Sequence, residues 1–507
     1  MPLRIDDSSS DNEDGPRYVL VENGTNCGKS LMVDTLESRE FSVKDDNKGG
    51  ARKGKRDHLG PTWGCTQKPT TKCRATLMFR NGMWKHGVNA HICPPIYKPI
   101  KARTTKRDMK AAVKKNKFEP VKKVYEQQLV GIPAAEVALL LPNEKNMLAR
   151  LRHAKKLDFP GEPKDLQFVM DLAFIRNSAD IPDDFLQEDI IMPNGRRHLI
   201  FGSGFMLSLL GNANTWWVDA TFKIVKLPFK QLFAVHVFIT HGECLKQVTV
   251  AYVLMSGKNT SDYEAVFKAL KDKCGTVKVS TVVADFESAT WNAVNNVFQG
   301  AVKMKGCNFH LCQAIFKKIK NLKLYEAYNN EPPTRAFCKK LMSLAMLPAN
   351  KIEQTFVDLT IQEQLSPKLS ELADYFEKNW MKHSVFTPES WSWYNEPIRT
   401  NNDAEGYHNR LNQRTEGSKV QLYRLMGVFA YEAKMHVEYT YYQVATDRLS
   451  RKISKKQSDK QRNLYRLWGK YHKKLLNERD LLNAIYEYSD PEYAREDFGV
   501  FDNGANV

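Results

Sequence analysis

The sequence predicts a multidomain α/β protein: a mixed β-sheet core with helices on its faces, interrupted by an all-helical insertion. A small cysteine-containing β module and a basic helical region precede the core, and a basic helical tail follows it. Three observations carry this expectation. Between Trp216 and Phe309 the pattern runs strand-strand-strand-helix-strand-helix-strand. Four cysteine and histidine residues bracket one β-patterned stretch near the N-terminus. Two segments rich in Lys and Arg, at 98–160 and 421–507, space their apolar residues as helices do.

Residues 1–16 are acidic and polar, the composition of a disordered tail. From 17 to 97, short alternating stretches such as SLMVDTL and ATLMF are separated by Gly-rich and basic loops, which reads as a small β module. Residues 96–160 hold 16 Lys or Arg against 6 Asp or Glu, with helical spacing in VKKVYEQQL, AAEVALLL and NMLARLRHA broken at Gly131-Ile132-Pro133 and Leu141-Pro142. Several short basic helices, a helix-turn-helix-like bundle, fit that pattern. Residues 161–210 read as a connector with some strand. The core follows in two parts, 211–321 and 397–420, around a helical insertion at 322–396. In it, WWVDATFKIV, QLFAVHVFIT and LKQVTVAYVLM are successive strands, TSDYEAVFKALKDK is a helix capped by Thr or Ser, VSTVVADF is an apolar strand, SATWNAVNNVF a helix and AVKMKGCNF a strand. In the tail, Arg448 to Lys474 carries 11 basic residues and one acidic residue.

The formal net charge of +18 and pI near 9.3 point to a polyanionic partner, nucleic acid before membrane, because no run of 18 apolar residues is present. The opening DDSSSDNED has no basic-then-apolar leader pattern, so an intracellular protein is expected. Nine scattered cysteines suit metal ligation and buried thiols better than a disulfide framework. Gly24-Thr-Asn-Cys-Gly28-Lys29-Ser30 imitates a phosphate-binding loop but has three residues between its glycines where that loop needs four.

Cys65, Cys73, His91 and Cys93 have the spacing C-x7-C-x17-H-x-C. Two close pairs brought together by a hairpin supply the four soft or borderline donors that a tetrahedral Zn²⁺ requires, and the metal would provide much of a small module's folding energy. His86 is a possible substitute ligand. Trp63, Cys65, Cys73, His91 and Pro94 resemble the FLYWCH zinc-finger pattern, with Cys93 in place of the usual final His; the resemblance implies DNA binding through an exposed strand edge.

Asp219 lies in the first core strand, and Asp285 ends the apolar strand Val282-Val283-Ala284. Carboxylates at strand ends are rigidly based and keep their oxygens available to hard cations such as Mg²⁺. A third carboxylate is expected from Thr400-Asn401-Asn402-Asp403-Ala404-Glu405-Gly406-Tyr407-His408-Asn409, where Glu405, His408, Asn409 and Asn412 share one helical face after an Asn401 or Asn402 cap. Two ions about 3.5–4 Å apart in such a site can activate a water and stabilise the leaving oxygen of a phosphodiester. Asp262, Glu264 and Glu287 read as solvated helix residues. Cys307 reads as a buried thiol, and His310 as a neighbour of the metals or the scissile phosphate.

The stretch from Trp216 to Asn412 resembles the Mutator-like transposases. The shared blocks are Asp219 with Thr221 and Phe222, Asp285 with Glu287, Ser288 and Ala289, Cys307 with His310, and Thr400, Asn401, Asn402, Glu405, His408 and Asn409. The resemblance implies an RNase H-like fold and a DDE triad of Asp219, Asp285 and Glu405 using Mg²⁺ or Mn²⁺. Cys307, His310, Asn402, His408 and Asn409 would support the triad. It further implies cut-and-paste transposition on double-stranded DNA by a homodimer or higher oligomer. Residues expected to bind DNA phosphates are Lys106, Arg107, Lys114, Lys115, Lys122 and Lys123, with Arg451, Lys452, Lys455 and Lys456 in the tail. Tyr465, Trp468 and Tyr471 read as helix packing. Ala51–Arg56 or Arg451–Lys456 can serve as a nuclear import signal. The rival expectations are a domesticated, non-catalytic DNA-binding transcription regulator and a host nuclease acting on RNA–DNA hybrids.

Overall fold

The computed structural model describes residues 18–21, 31–34, 39–43, 62–80, 83–95, 100–241, 244–362, 365–396, 402–415, 419–446, 448 and 455–488. The acidic N-terminal segment, Gly24–Ser30, the basic run 51–56, Asn401, Arg451 and Lys452 lie outside the described residues, as do the side chains of Asn402, Glu405, Lys455 and Lys456. The chain divides into two compact units, Met1–Phe159 and Pro160–Val507.

The first unit opens with a six-stranded antiparallel meander: β1 (Tyr18–Val21), β2 (Leu31–Asp34), β3 (Arg39–Val43), β4 (Thr62–Cys65), β5 (Thr76–Arg80) and β6 (Met83–His86). Its apolar core is small, comprising Met32, Phe41, Trp63 and Leu77 with Tyr18 and Trp84 against it. Beside it the short helix α1 (Lys68–Thr71) turns the chain back through Lys72, whose φ of 57° is left-handed. Four helices follow: α2 (Ile100–Lys115), α3 (Val121–Leu129), α4 (Ala134–Leu140) and α5 (Glu144–Lys156). Met109, Val113, Val121, Val124, Leu148 and Leu151 interlock at their centre, and Asn143 caps α5 by accepting from the Asn146 amide at 2.9 Å.

The second unit is built on a seven-stranded sheet. Its strands are β7 (Leu186–Ile191), β8 (Arg197–Phe201), β9 (Thr215–Thr221), β10 (Gln231–His241), β11 (Cys244–Met255), β12 (Thr281–Ala284) and β13 (Lys303–Gly306), in the spatial order β13-β12-β9-β10-β11-β8-β7. The segment 161–210, read from sequence as a connector, contains α6 (Leu172–Arg176) and most of α7 (Gly204–Asn212) and contributes β7 and β8 to one edge of the sheet. The strand expected over AVKMKGCNF ends at Gly306, and Asn308 already starts a helix.

Strands β13, β12 and β9 are parallel; β9 through β7 pair antiparallel. The chain returns from β11 to β12 through α8 (Thr260–Cys274) and from β12 to β13 through α9 (Ser288–Phe298). Side chains alternate faces along a strand. Trp216 and Phe233 therefore meet α9 and α8 on one face, through Phe298 and Phe267 at ring distances of 5.8 Å each. Trp217 and Tyr252 point to the other face, where they stack on Trp393 and Phe429.

That second face is covered by α10 (Asn308–Asn321), by an inserted set of helices, and by α16 (Asn402–Thr415) and α17 (Leu422–Glu432). The inserted helices are α11 (Tyr325–Asn330), α12 (Pro332–Ser343), α13 (Ala349–Gln362), α14 (Pro367–Phe376) and α15 (Pro388–Trp391). The tail adds α18 (Tyr439–Ala445), α19 (Lys455–His472) and α20 (Glu478–Tyr488). The insertion and the tail share one core: Leu467, Trp468, Leu481 and Ile485 pack among Phe337, Leu341, Leu372 and Trp391. Trp468, fully buried, donates its indole N–H to the Met346 carbonyl at 3.0 Å, so this tail aromatic is structural. No described helix is long and apolar enough to cross a membrane.

Candidate active site and metal centre

The meander brings the four N-terminal ligand residues together. Cys65 ends β4, Cys73 follows α1, and His91 and Cys93 lie after β6. Their donor atoms all fall within 4.8 Å of one another, with Cys65 Sγ to Cys93 Sγ at 3.6 Å, Cys73 Sγ to His91 Nδ1 at 3.5 Å and His91 Nδ1 to Cys93 Sγ at 3.3 Å. Zinc–sulfur and zinc–nitrogen bonds of about 2.3 and 2.0 Å in a tetrahedron require donor separations of roughly 3.5–3.8 Å, so the set fits one Zn²⁺. Burial and the neighbouring sulfurs push the Cys65 thiol up to about 12. At Cys73 burial acts in the same direction, but the amides of Ala75 and Ile92 outweigh it and bring the thiol down to about 7. Arg39 donates to the Cys93 sulfur and carbonyl, a second layer of support for a thiolate. His86 is committed elsewhere: it faces Asp34 at 3.3 Å and the Tyr18 hydroxyl at 3.0 Å.

In the second unit the register of the parallel strands sets two carboxylates level. Val283 of β12 pairs with Trp217 of β9, and two residues further along the same register Asp285 falls beside Asp219. The β12–β13 pairing, Val283 with Lys305, likewise sets Cys307 beside Asp285. Asp219, Asp285 and Cys307 thus form a row across the carboxyl ends of three parallel strands, all on the face covered by α10 and α16. The carboxyl edge of parallel strands is where open α/β sheets bind ligands. The Trp291 indole N–H anchors the Asp285 carbonyl at 2.8 Å, and the Ala220 amide donates to Asp219 Oδ1 at 2.8 Å.

Histidines from three elements surround Asp219. His408 of α16 sits with Nε2 3.2 Å from Asp219 Oδ2. His310 comes from the first turn of α10, and His236 of β10 lies opposite Trp217. Burial alone would raise the Asp219 carboxyl, but the charge and hydrogen bond of His408, with His310 and His236 behind it, hold it well below the usual carboxylate range. Asp285 has the opposite fate. Burial, with Glu287 and Asp219 adding to it, outweighs His310 and pushes its carboxyl up to about 6. Burial disfavours a charged His310, yet Cys307 and the two carboxylates outweigh it and shift this imidazole upward. Burial dominates at His236 and holds it down at about 4. Without a cation the row holds one stabilised and one strained carboxylate. A divalent ion would relieve the strained one.

Glu405 precedes His408 by three residues on α16, so the helix backbone that brings His408 to Asp219 carries Glu405 to the same side. Below this contact α16 is clamped by Glu432 of α17. Glu432 is fully buried and accepts from Arg414 Nε at 3.0 Å, with Arg410 Nε at 3.5 Å.

Several neighbours escaped sequence reasoning. Asp262 and Glu287, expected to be solvated, are both engaged. Asp262 is buried between Arg196 and His198 and closes the capping box of α8 through Asn259, which takes the cap position expected of Thr or Ser. Glu287 accepts from the Tyr263 hydroxyl at 2.7 Å, and Tyr263 in turn accepts from Gln231 at 2.9 Å. Lys305 is buried over the Trp393 ring and pairs with Glu396. In the first unit Lys114 pairs with Asp158, Lys122 with Glu126, Lys123 with Glu119 and Arg107 with Asp108. Such exposed pairs are weak, and phosphates can displace them.

Residues 215–314 match the family model described as the MULE transposase domain. The matched stretch runs from the start of β9 into α10 and contains Asp219, Asp285, Cys307 and His310. A comparison with curated proteins gave no match. A transposase domain implies DNA as the partner.

Proposed function

We propose that this chain is a Mutator-like DNA transposase with an RNase H-like core, in which Asp219, Asp285 and Glu405 hold Mg²⁺ or Mn²⁺ and cut DNA at the ends of the element. The observation that carries the reading is the level placement of Asp219 and Asp285 across β9 and β12, inside the segment that matches the transposase domain. Bound there, divalent ions supply a water nucleophile at neutral pH and stabilise the leaving oxygen of the phosphodiester. The chain's own part is to hold the two carboxylates on a hydrogen-bonded ladder, which needs no reorganisation during the reaction, and to bring the third on α16. His310, whose imidazole is shifted upward, adds positive charge beside an otherwise acidic row, and His408 holds Asp219 from α16 at 3.2 Å. Asn402 and Asn409 lie on the same helix as Glu405. The freed 3′-hydroxyl then attacks target DNA at the same site.

The first unit would recognise the terminal inverted repeats. Its FLYWCH-type module, with Zn²⁺ on Cys65, Cys73, His91 and Cys93, presents a sheet edge, and the helices carrying Lys106, Arg107, Lys114, Lys115, Lys122 and Lys123 grip phosphates. Arg451, Lys452, Lys455 and Lys456 extend the phosphate-binding surface in the tail. We place the protein in the nucleus, acting as a homodimer or higher oligomer on DNA.

The test is an excision assay with Mg²⁺ on duplex DNA carrying the element's own ends. Asp219→Asn, Asp285→Asn and Glu405→Gln should each abolish cleavage and leave end binding nearly intact. Cleavage retained by these variants defeats the proposal. A wild-type chain that binds ends and never cleaves them leaves the non-catalytic regulator as the better reading.

A further inference from the structure

We propose that Lys258 grips a backbone phosphate of the DNA strand at the catalytic row; the assignment rests on the catalytic reading above. Strands β9, β11 and β12 all finish at the same edge of the sheet, since Thr221 pairs with Leu232 while Met255 pairs with Gln231. Lys258 is three residues beyond the end of β11, Phe222 immediately beyond β9, and Glu287 three residues beyond β12. The lysine side chain reaches both: its Nζ is 3.9 Å from Glu287 Oε1 and 6.0 Å from the centre of the Phe222 ring. It therefore sits at the sheet edge shared with the row, on the α8 side, between the end of the strand that carries Asp219 and the loop that carries Asp285.

The two partners of the pair differ in freedom. Glu287 is held on its other oxygen by Tyr263, itself fixed by Gln231. Lys258 is 46% exposed, and 3.9 Å is too long for a hydrogen bond, so the pair costs little to break. Its neighbour Arg196 is not available in the same way, because it is tied to the fully buried Asp262. Exposed Lys223 and Lys230 continue the positive rim along the β9–β10 loop, while Lys226 faces Glu162 at 4.0 Å. A phosphate entering beside Asp219, Asp285 and Glu287 meets several negative charges. A cation at the rim, free to leave Glu287, lowers that repulsion.

Phosphate contacts carry no sequence information, so a duplex of arbitrary sequence is a sufficient binding probe. In the full-length Asp285→Asn background, where binding is read without cleavage, Lys258→Ala should weaken affinity roughly five- to tenfold near 0.1 M salt. It should also reduce the slope of log affinity against log salt by about one. Lys258→Arg should restore most of both. In the otherwise unmutated chain, KM for an element-end duplex should rise several-fold more than kcat falls, with the melting temperature unchanged. An unaltered affinity and salt slope in Lys258→Ala overturns the assignment, as does a loss confined to kcat. If Asp285→Asn alone still cleaves, the catalytic reading fails, and that outcome is separate from the lysine's effect on binding.

Discussion

Neutralising the two carboxylates of the row should change stability in opposite directions. Asp285 in the folded chain sits at about 6, above its unfolded value of 3.8, so the folded state binds the proton more tightly. The resulting cost is absent below pH ~4, grows as pH rises toward 6, and is complete at 7.5. Two units correspond to at most about 3 kcal/mol. Asp219 is depressed by His408, so its contribution is favourable, present above the unfolded value and lost as pH falls through the folded one. Removing it breaks a charged hydrogen bond worth about 1.5–3 kcal/mol. For a unit of about 350 residues, an unfolding entropy near 2.1 cal/mol/K per residue converts 3 kcal/mol into about 4 °C. In metal-free protein at pH 7.5, Asp285→Asn should therefore melt higher than wild type by up to about 4 °C and Asp219→Asn lower by about 2–4 °C. Near pH 4 the Asp285 difference should vanish. Differential scanning calorimetry in chelator, repeated with excess Mg²⁺ to raise only the wild type, measures this directly. Shifts of the same sign for both variants would refute the electrostatic argument.

Three further outcomes are expected. Chelation of Zn²⁺, or Cys73→Ser, should unfold the small meander, because four core side chains cannot replace metal binding worth about 10 kcal/mol or more; circular dichroism and the visible spectrum of the Co²⁺-substituted protein report it. Tyr407→Phe should be neutral or stabilising by about 1 kcal/mol in chemical denaturation, since this buried hydroxyl has no hydrogen-bond partner among the described residues. Asp262→Ala should cost about 3–5 kcal/mol, as it strands Arg196 and His198 and opens the start of α8; a loss below 1 kcal/mol in the same titration contradicts the network.

Local patterns made much of this molecule legible. Alternation and apolar runs marked β9, β10, β11 and β12, because each is a strand whose residues declare their own burial. The four zinc-type ligands could be found because their Cys and His residues bracket one β-patterned stretch, which a hairpin can fold so that the donors meet. Asp285 stood out at the end of an apolar strand. What escaped depends on residues far apart in sequence. Asp262 looks like any acidic residue in a helix's first turn until Arg196 and His198 arrive from the start of β8 and the residue before it, more than sixty residues earlier. Nothing local distinguishes His236 from a surface histidine, or Glu432 from a solvated helix glutamate, before the sheet and α17 are assembled. Strands β7 and β8 read as connector because their signal is short and β11, which joins β8 to the sheet, comes later in the chain.

The ladder between β9 and β12 also bears on which inherited changes this protein can survive. A point substitution in Thr281–Ala284 alters one side chain and leaves the pairing intact. A single-codon deletion there draws the following chain back by one position, so that Phe286 takes the place of Asp285 opposite Asp219 and the acid turns toward the far face. Frame-preserving losses in this stretch should be far rarer among working copies than amino-acid replacements. The insertion between α10 and α16 shares this constraint where Trp380, Phe386 and Trp393 pack on Phe286 and Trp217, so changes of its length are tolerable only away from those contacts.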